Sequence, residues 1–345
     1  MTPTIYMVVL SSLSTSTIIT MSSYHWLMAW IGLEINTLAM IPIISTTHHP
    51  RSTEAATKYF LIQAAASALI LFSSMTNAWY TGSWDITQMV NKPSNIMLTM
   101  ALSMKLGLAP LHFWLPEVIQ GSTTTTALII STWQKLAPMS LIFLTMNNLS
   151  TTLLLLMGLL SSIVGGWGGL NQTQVRKIMA YSSIAHLGWM ASISSIMTNL
   201  LTMNLLIYII MTTSVFFPLI ISKSKTIQNM TTTWTLSPML AIITMLSLLS
   251  LGGLPPLTGF IPKWLVMEEL ILQNFNLFTT LLALSALLGL FFYLRLTYST
   301  TLTLSPNMTQ TKFKWRFHPN MITTFFQHFF SSLALLLPLT PLILM

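Results

Sequence analysis

The chain of 345 residues is 53% hydrophobic and only 6% charged, with a mean hydropathy of +0.72. Soluble domains carry about 25% charged residues, so this composition excludes a soluble globular protein, and apolar runs from end to end leave no length for a sizeable soluble domain. The formal charge of +8 is spread through loops and does not point to nucleic acid, and the absence of cysteine excludes disulfides, thiolate metal sites and cysteine-held iron–sulfur clusters.

A spanning helix needs about 20 residues, or up to ~25 when tilted, so the chain accommodates about eleven spans. In chain order their cores are 3–21, 25–45, 56–79, 96–121, 126–146, 150–169, 176–196, 200–221, 238–270, 275–298 and 323–344. The first is long enough to span and lacks a basic flank, so neither a secretory signal nor an Arg-rich transit peptide is expected. Every second loop is basic: Arg51 and Lys58, then Arg176 and Lys177, then Lys223 and Lys225, then Arg295, Lys312, Lys314 and Arg316. The loops between hold little positive charge beyond Lys92. This alternation predicts an inside amino terminus and, with an odd number of spans, an outside carboxyl terminus.

Spans 4 and 9 are too long and are interrupted, by "LGLAPLHFWLPE" and "LGGLPPLTGFIPKW". Non-helical backbone at membrane depth survives only when buried in protein or facing water. Either break alone reads as a packing kink. Two of them, five spans apart and each with Leu-Gly ahead of its prolines, predict an inverted repeat with discontinuous helices 4 and 9. The expected class is an all-α polytopic membrane protein: a first five-helix repeat over 1–146, a second, inverted one over 147–298, and a loop plus last span over 299–345.

Four charges fall inside these spans, where an ionisable group costs roughly 2.5–3.5 kcal/mol on insertion scales. Glu34 lies about ten residues into span 2, so ~15 Å deep at 1.5 Å per residue. Lys105 and Lys135 sit at comparable depths in spans 4 and 5, and Lys263 begins the second half of span 9. From mid-span a lysine stem reaches neither surface comfortably, which counts against snorkelling. Glu34 could pair with one lysine, leaving the others unpaired. Low dielectric disfavours a buried ammonium, so a row of such groups with water between them is a candidate proton path. His112, in the first break, and His186, mid-span, are either relays in that path or hydrogen-bonded structural residues. Water is expected to approach Lys105 through Leu108–Phe113, where Pro110 frees carbonyls, with Lys263 as its counterpart at the second break. Glu117 suits the amino terminus of a half-helix, and "GGWGGLNQ" (165–172) suits close helix packing better than phosphate binding. No HExxH, nucleophile elbow or metal-ligand spacing is present.

The stretches "WIGLEINTLAMIP", "RSTEAATKYFLIQ", "MALSMKLGLAPLHFWLPEV", "WGGLNQTQVRKIMAYSSIAHLGWM" and "LSLGGLPPLTGFIPKW" together resemble the NADH–ubiquinone oxidoreductase chain 2 family. These are mitochondrially encoded, antiporter-like subunits of respiratory complex I, and the likeness is to the vertebrate type over essentially the full length. It implies an antiporter-like fold of two inverted five-helix repeats and an amino terminus shorter than in bacterial relatives. It assigns the family's intramembrane glutamate to Glu34 and its functional lysines to Lys105, Lys135 and Lys263. It further implies proton translocation across the inner mitochondrial membrane, driven by electron transfer from NADH to ubiquinone in other subunits. NADH, FMN, iron–sulfur clusters and ubiquinone are then held elsewhere, and this chain is expected to bind no cofactor or metal. The implied partners are other membrane-arm subunits, including neighbouring antiporter-like ones, and inner-membrane lipids such as cardiolipin, with no nucleic acid. The implied placement is amino terminus in the matrix and carboxyl terminus in the intermembrane space. A free-standing cation/proton antiporter is the alternative, which fold alone does not separate.

Overall fold

The computed structural model describes residues 2–303 together with 329, 331 and 332. Most of the span expected at 323–344, and the loop from 304 on, lie outside the described residues. Among the described residues the named elements are all helical. The amino-terminal helices are α1 (Pro3–Ser22), α2 (Trp26–Ile44), α3 (Pro50–Thr81), α4 (Lys92–Leu106) and α5 (Trp114–Gly121). They continue as α6 (Thr124–Ser131), α7 (Leu136–Thr145), α8 (Thr151–Gly169), α9 (Val175–Ile193) and α10 (Thr198–Ser222). Two short helices, α11 (Ile227–Thr231) and α12 (Thr233–Leu236), precede α13 (Pro238–Gly252), α14 (Phe260–Leu272) and α15 (Asn276–Leu302).

Among the described residues, seven helical stretches are long and apolar enough to cross a bilayer: α1, α2 with its extension to Thr47, α3, α6 through α7, α8, α10 and α15. Helix α9 is not among them, because Arg176, Lys177, His186 and several serines lower its hydropathy. The segments expected as spans 4 and 9 are each two helices joined by irregular backbone, α4 to α5 and α13 to α14.

Local chemistry explains several boundaries. Helix α3 opens on a capping box: the His49 ring accepts from the Arg51 N–H at 3.2 Å, and the Ser52 hydroxyl accepts from the His49 N–H at 3.1 Å. Pro50 fills its first position, and Gly82, at φ 71°, closes it in the left-handed region. So His49 has a structural task.

The described residues form two compact units, those up to 161 with 194–198, and 162–193 with those from 199 onward. In the first, α2, α4 and α5 pack around α3, and α1 lies along α2. A Cβ on Gly32 would sit 2.6 Å from the Thr20 side chain, so α1 and α2 touch at backbone distance. In the second unit, α13, α14, α9 and α11 pack against α15. The glycines of "GGWGG" serve close packing, as expected: a Cβ on Gly165 would meet the Ala185 amide at 2.6 Å, and one on Gly166 would meet Leu288 at 2.8 Å. Arg295 closes the end of α8 by donating to the Leu170 carbonyl at 2.6 Å.

Candidate functional site

In the first unit the site grows from the end of α4. Gly107 takes φ 80° and ψ 41°, so the chain turns out of the helix. The Leu108 N–H returns to the Ser103 carbonyl at 3.0 Å and the Gly107 N–H to Met104 at 3.2 Å, a Schellman closure. Pro110, with no N–H to give, prevents the helix from resuming before Trp114. The last carbonyls of α4 are therefore available to side chains, and three side chains take them. Trp114 Nε1 donates to Met104 O at 3.1 Å, Gln63 Nε2 to Lys105 O at 3.4 Å, and Lys135 Nζ to Leu106 O at 2.6 Å. His112 donates to none of these three carbonyls; it is buried in the break with its ring against Phe113.

Lys135 is placed by its own helix break. Between α6 and α7 the chain tightens into a 3₁₀ turn over Trp133–Lys135, after Thr132 at φ −112° and ψ −70°. Lys135 is 2% exposed and Lys105 is 4% exposed. Both line one cavity of about 10 Å³, with Leu33, Asn36, Tyr59 and Gln134 among its walls. The Tyr59 hydroxyl donates to Gln134 Oε1 at 3.3 Å, and Gln134 Nε2 donates to Asn36 Oδ1 at 2.9 Å. Among the described residues Lys105 Nζ has no hydrogen-bond partner, and neither has Glu34 Oε2. Glu34 does not line this cavity. The ion pair considered for Glu34 is not formed. Lys58 forms the ion pairs of this unit instead, with Glu54 and, at 2.7 Å, with Glu117 of α5.

In the second unit the same turn recurs with different furniture. Gly253 takes φ 80° and ψ 45° at the end of α13, and its N–H returns to Ser250 O at 3.0 Å. Lys263 Nζ donates to Gly252 O at 3.0 Å. The residue ahead of the left-handed glycine therefore has its carbonyl held by a lysine in both units. By this contact Lys263 matches Lys135, not Lys105; the position equivalent to Lys105, two before the glycine, is Leu251. Lys263 and His186 line a cavity of about 20 Å³ with Trp189 and Tyr293. His186 is 8% exposed, its ring centred 5.7 Å from that of Tyr208.

The arrangement suits small, mobile protons. An ammonium on a helix carboxyl end meets the negative end of the dipole as well as a carbonyl. Cavities of about 10–20 Å³ are of the order needed for a water, far below the roughly 300 Å³ of an organic ligand site. Among the described residues no group of three or more His, Asp or Glu gathers to hold a metal. Sequence reasoning missed Gln63, Gln134, Tyr59, Asn36 and Trp114. The available signal was polarity, since an amide inside an apolar helix demands a partner.

Comparison with known proteins adds six findings. Residues 23–289 match the family model of the NADH:quinone oxidoreductase/Mrp antiporter transmembrane region, and residues 290–344 match that of the NADH dehydrogenase subunit 2 C-terminus. NADH-ubiquinone oxidoreductase chain 2 of Xenopus laevis is 54% identical over 344 residues, covering 100% of both chains, and that of Salmo salar is 55% identical, covering 99% of this chain and 98% of that one. Among solved structures, a chain of respiratory complex I from Thermus thermophilus with bound aureothin superposes with TM-score 0.84 at 26% identity, covering 97% of this chain and 79% of that one. A chain of the Mrp complex from Dietzia shares the fold at TM-score 0.79 and 14% identity, covering 88% and 62%.

Proposed function

The chain belongs to the NADH-ubiquinone oxidoreductase chain 2 family, within the NADH:quinone oxidoreductase/Mrp antiporter membrane proteins, and from that membership we propose that it is a core membrane subunit of respiratory complex I. It contributes to proton translocation across the inner mitochondrial membrane while electrons pass from NADH to ubiquinone in other subunits. NADH, FMN, iron–sulfur clusters and ubiquinone belong to those subunits, and this chain contributes no redox centre. Its neighbours are other membrane-arm subunits, antiporter-like ones among them. The free-standing antiporter is the weaker reading, because the Mrp likeness is one of fold alone at 14% identity.

The observation that carries the reading is the pair of broken helices whose inner carboxyl ends, Leu106 and Gly252, are each held by a lysine. In this reading residues 1–146 and 147–298 are inverted five-helix repeats, followed by a loop and last span over 299–345. Glu34, Lys105, Lys135 and Lys263 hold and pass protons, with His112 and His186 as relays. Lys105, which has no hydrogen-bond partner among the described residues, exchanges through the cavity it shares with Lys135. Lys135 and Lys263 each alternate between holding a helix end as ammonium and releasing it as amine. The amino terminus faces the matrix.

The test is Lys135→Met and Lys263→Met in the intact complex in sealed inner-membrane vesicles, measuring protons moved per NADH oxidised. Assembly with a lowered ratio is expected, and wild-type ratios in both would overturn the reading. Orientation is checked separately in mitoplasts: a protease acting from the outer side should leave the 222–236 region intact.

A further inference from the structure

We propose that Gln134 is a positioning residue for Lys135, acting by locking the 3₁₀ turn on which both stand; this rests on the proton-transfer reading above. Three ties converge on a single turn. Gln134 Nε2 donates to Asn36 of α2 at 2.9 Å, Gln134 Oε1 accepts from Tyr59 of α3 at 3.3 Å, and Lys135 Nζ donates to Leu106 at the end of α4 at 2.6 Å. Asn36 and Tyr59 are 2% and 1% exposed, so neither meets bulk solvent. One amide thus uses its acceptor and a donor to span two helices, and its chain neighbour reaches a third.

The turn needs such a lock. A 3₁₀ turn inside a longer helix is tighter and has poorer hydrogen-bond geometry than the α form, and it often marks a hinge. Relaxing Trp133–Lys135 from 3.0 to 3.6 residues per turn changes the rotation by about 20° per residue, swinging the Lys135 stem away from the Leu106 carbonyl. Pro138 lies just beyond in α7, where its ring crowds the carbonyl of Gln134 and weakens the α alternative without forbidding it. Lys135 alone cannot hold the turn, because its own bond to Leu106 lapses whenever its nitrogen turns away or reorganises around a departing proton. The amide bonds of Gln134 involve no titratable group of their own beyond the Tyr59 hydroxyl. They keep the turn wound while Lys135 changes state, and return the ammonium to the same carbonyl on each cycle.

The test uses the whole complex in sealed vesicles and compares Gln134→Met, Tyr59→Phe, Lys135→Met and the double substitution Gln134→Met with Lys135→Met. Gln134→Met is expected to lower protons moved per NADH oxidised to the level of Lys135→Met. Tyr59→Phe, which removes one tie and keeps the ring, should lower it part of the way. The double substitution should be no worse than Lys135→Met alone, since a residue acting through Lys135 has nothing left to act through. A merely structural Gln134 would instead add its loss to that of Lys135→Met, and that additive outcome overturns the proposal. So does a Tyr59→Phe complex with a wild-type ratio, which remains informative if Gln134→Met fails to assemble. A Lys135→Met complex that pumps normally would sink the underlying proton-transfer reading instead, so the two failures are distinguishable.

Discussion

The two helix breaks share a turn and differ in what surrounds it. Each ends a fifteen-residue helix on a glycine at φ 80°, and each leaves one carbonyl for a lysine. At the first break the lysine arrives from another helix, while a second buried ammonium, Lys105, stands beside it without a hydrogen bond. At the second, the lysine belongs to the half-helix that resumes after the break, and a histidine shares its cavity. The backbone motif is therefore the constant, and the number and origin of the ionisable groups are the variable. The first break is organised across helices; the second is organised within one broken segment.

Glycine substitution should separate the two breaks most strongly. The nearest atoms to a Cβ at Gly107 belong to the Leu115 and Trp114 side chains, at 3.1 Å or more, so Gly107→Ala should suffer mainly its left-handed backbone, about 1–2 kcal/mol. A Cβ at Gly253 falls 2.8 Å from Lys263 Nζ, so Gly253→Ala should also displace the lysine. Assembled complex and protons per NADH, measured together, should show Gly107→Ala as the milder in pumping. Equal loss would mean that the lysine contact at the second break has no consequence.

Lysine removal comes next. Lys135→Met and Lys263→Met each orphan a carbonyl at membrane depth, about 1–3 kcal/mol for a buried unmatched acceptor. Lys105→Met orphans nothing, because Lys105 Nζ caps no group. The temperature at which the assembled complex inactivates should therefore fall for the first two and stay near wild type for Lys105→Met. A comparable fall in all three would remove the distinction between holding and exchanging lysines.

A smaller effect should come from Lys105→Arg. It keeps the charge permanently and, with no hydrogen bond to re-form, should assemble as wild type but pump like Lys105→Met. Full coupling in the arginine variant would reduce Lys105 to a fixed charge.

The smallest expected effect is at Lys58, whose ion pair with Glu117 ties α5 to α3 near an exposed end. With both side chains about half exposed, such a pair is worth little. Lys58→Met should leave assembly and pumping close to wild type, and a loss approaching that of Lys135→Met would give α5 a role absent from the second break.

Much of this architecture was legible from sequence. The breaks were readable because glycine and proline punctuate apolar runs, and Glu34, Lys105, Lys135 and Lys263 stood out as candidates because charge is conspicuous in lipid. The close packing of "GGWGG" followed from the absence of any phosphate-loop context. What stayed hidden was pairing across helices. Gln63 meets Lys105 O over 42 positions and Gln134 meets Asn36 over 98, and no periodicity encodes such distances. The 3₁₀ turn at Trp133–Lys135 carries no glycine, and its proline comes three residues late, so nothing local announced it.

The equal length of α4 and α13 has a consequence for energy conversion. Fifteen residues rise about 22 Å, so each lysine-held carbonyl lies more than half of a ~30 Å hydrocarbon core from where its helix begins. A proton resting there has felt an unequal share of the roughly 2.3 kcal/mol per 100 mV that a full crossing entails. In the proton-transfer reading proposed above, loading and release at each break would then carry unequal shares of the membrane potential, so a change in potential would shift the waiting state of the lysine held there.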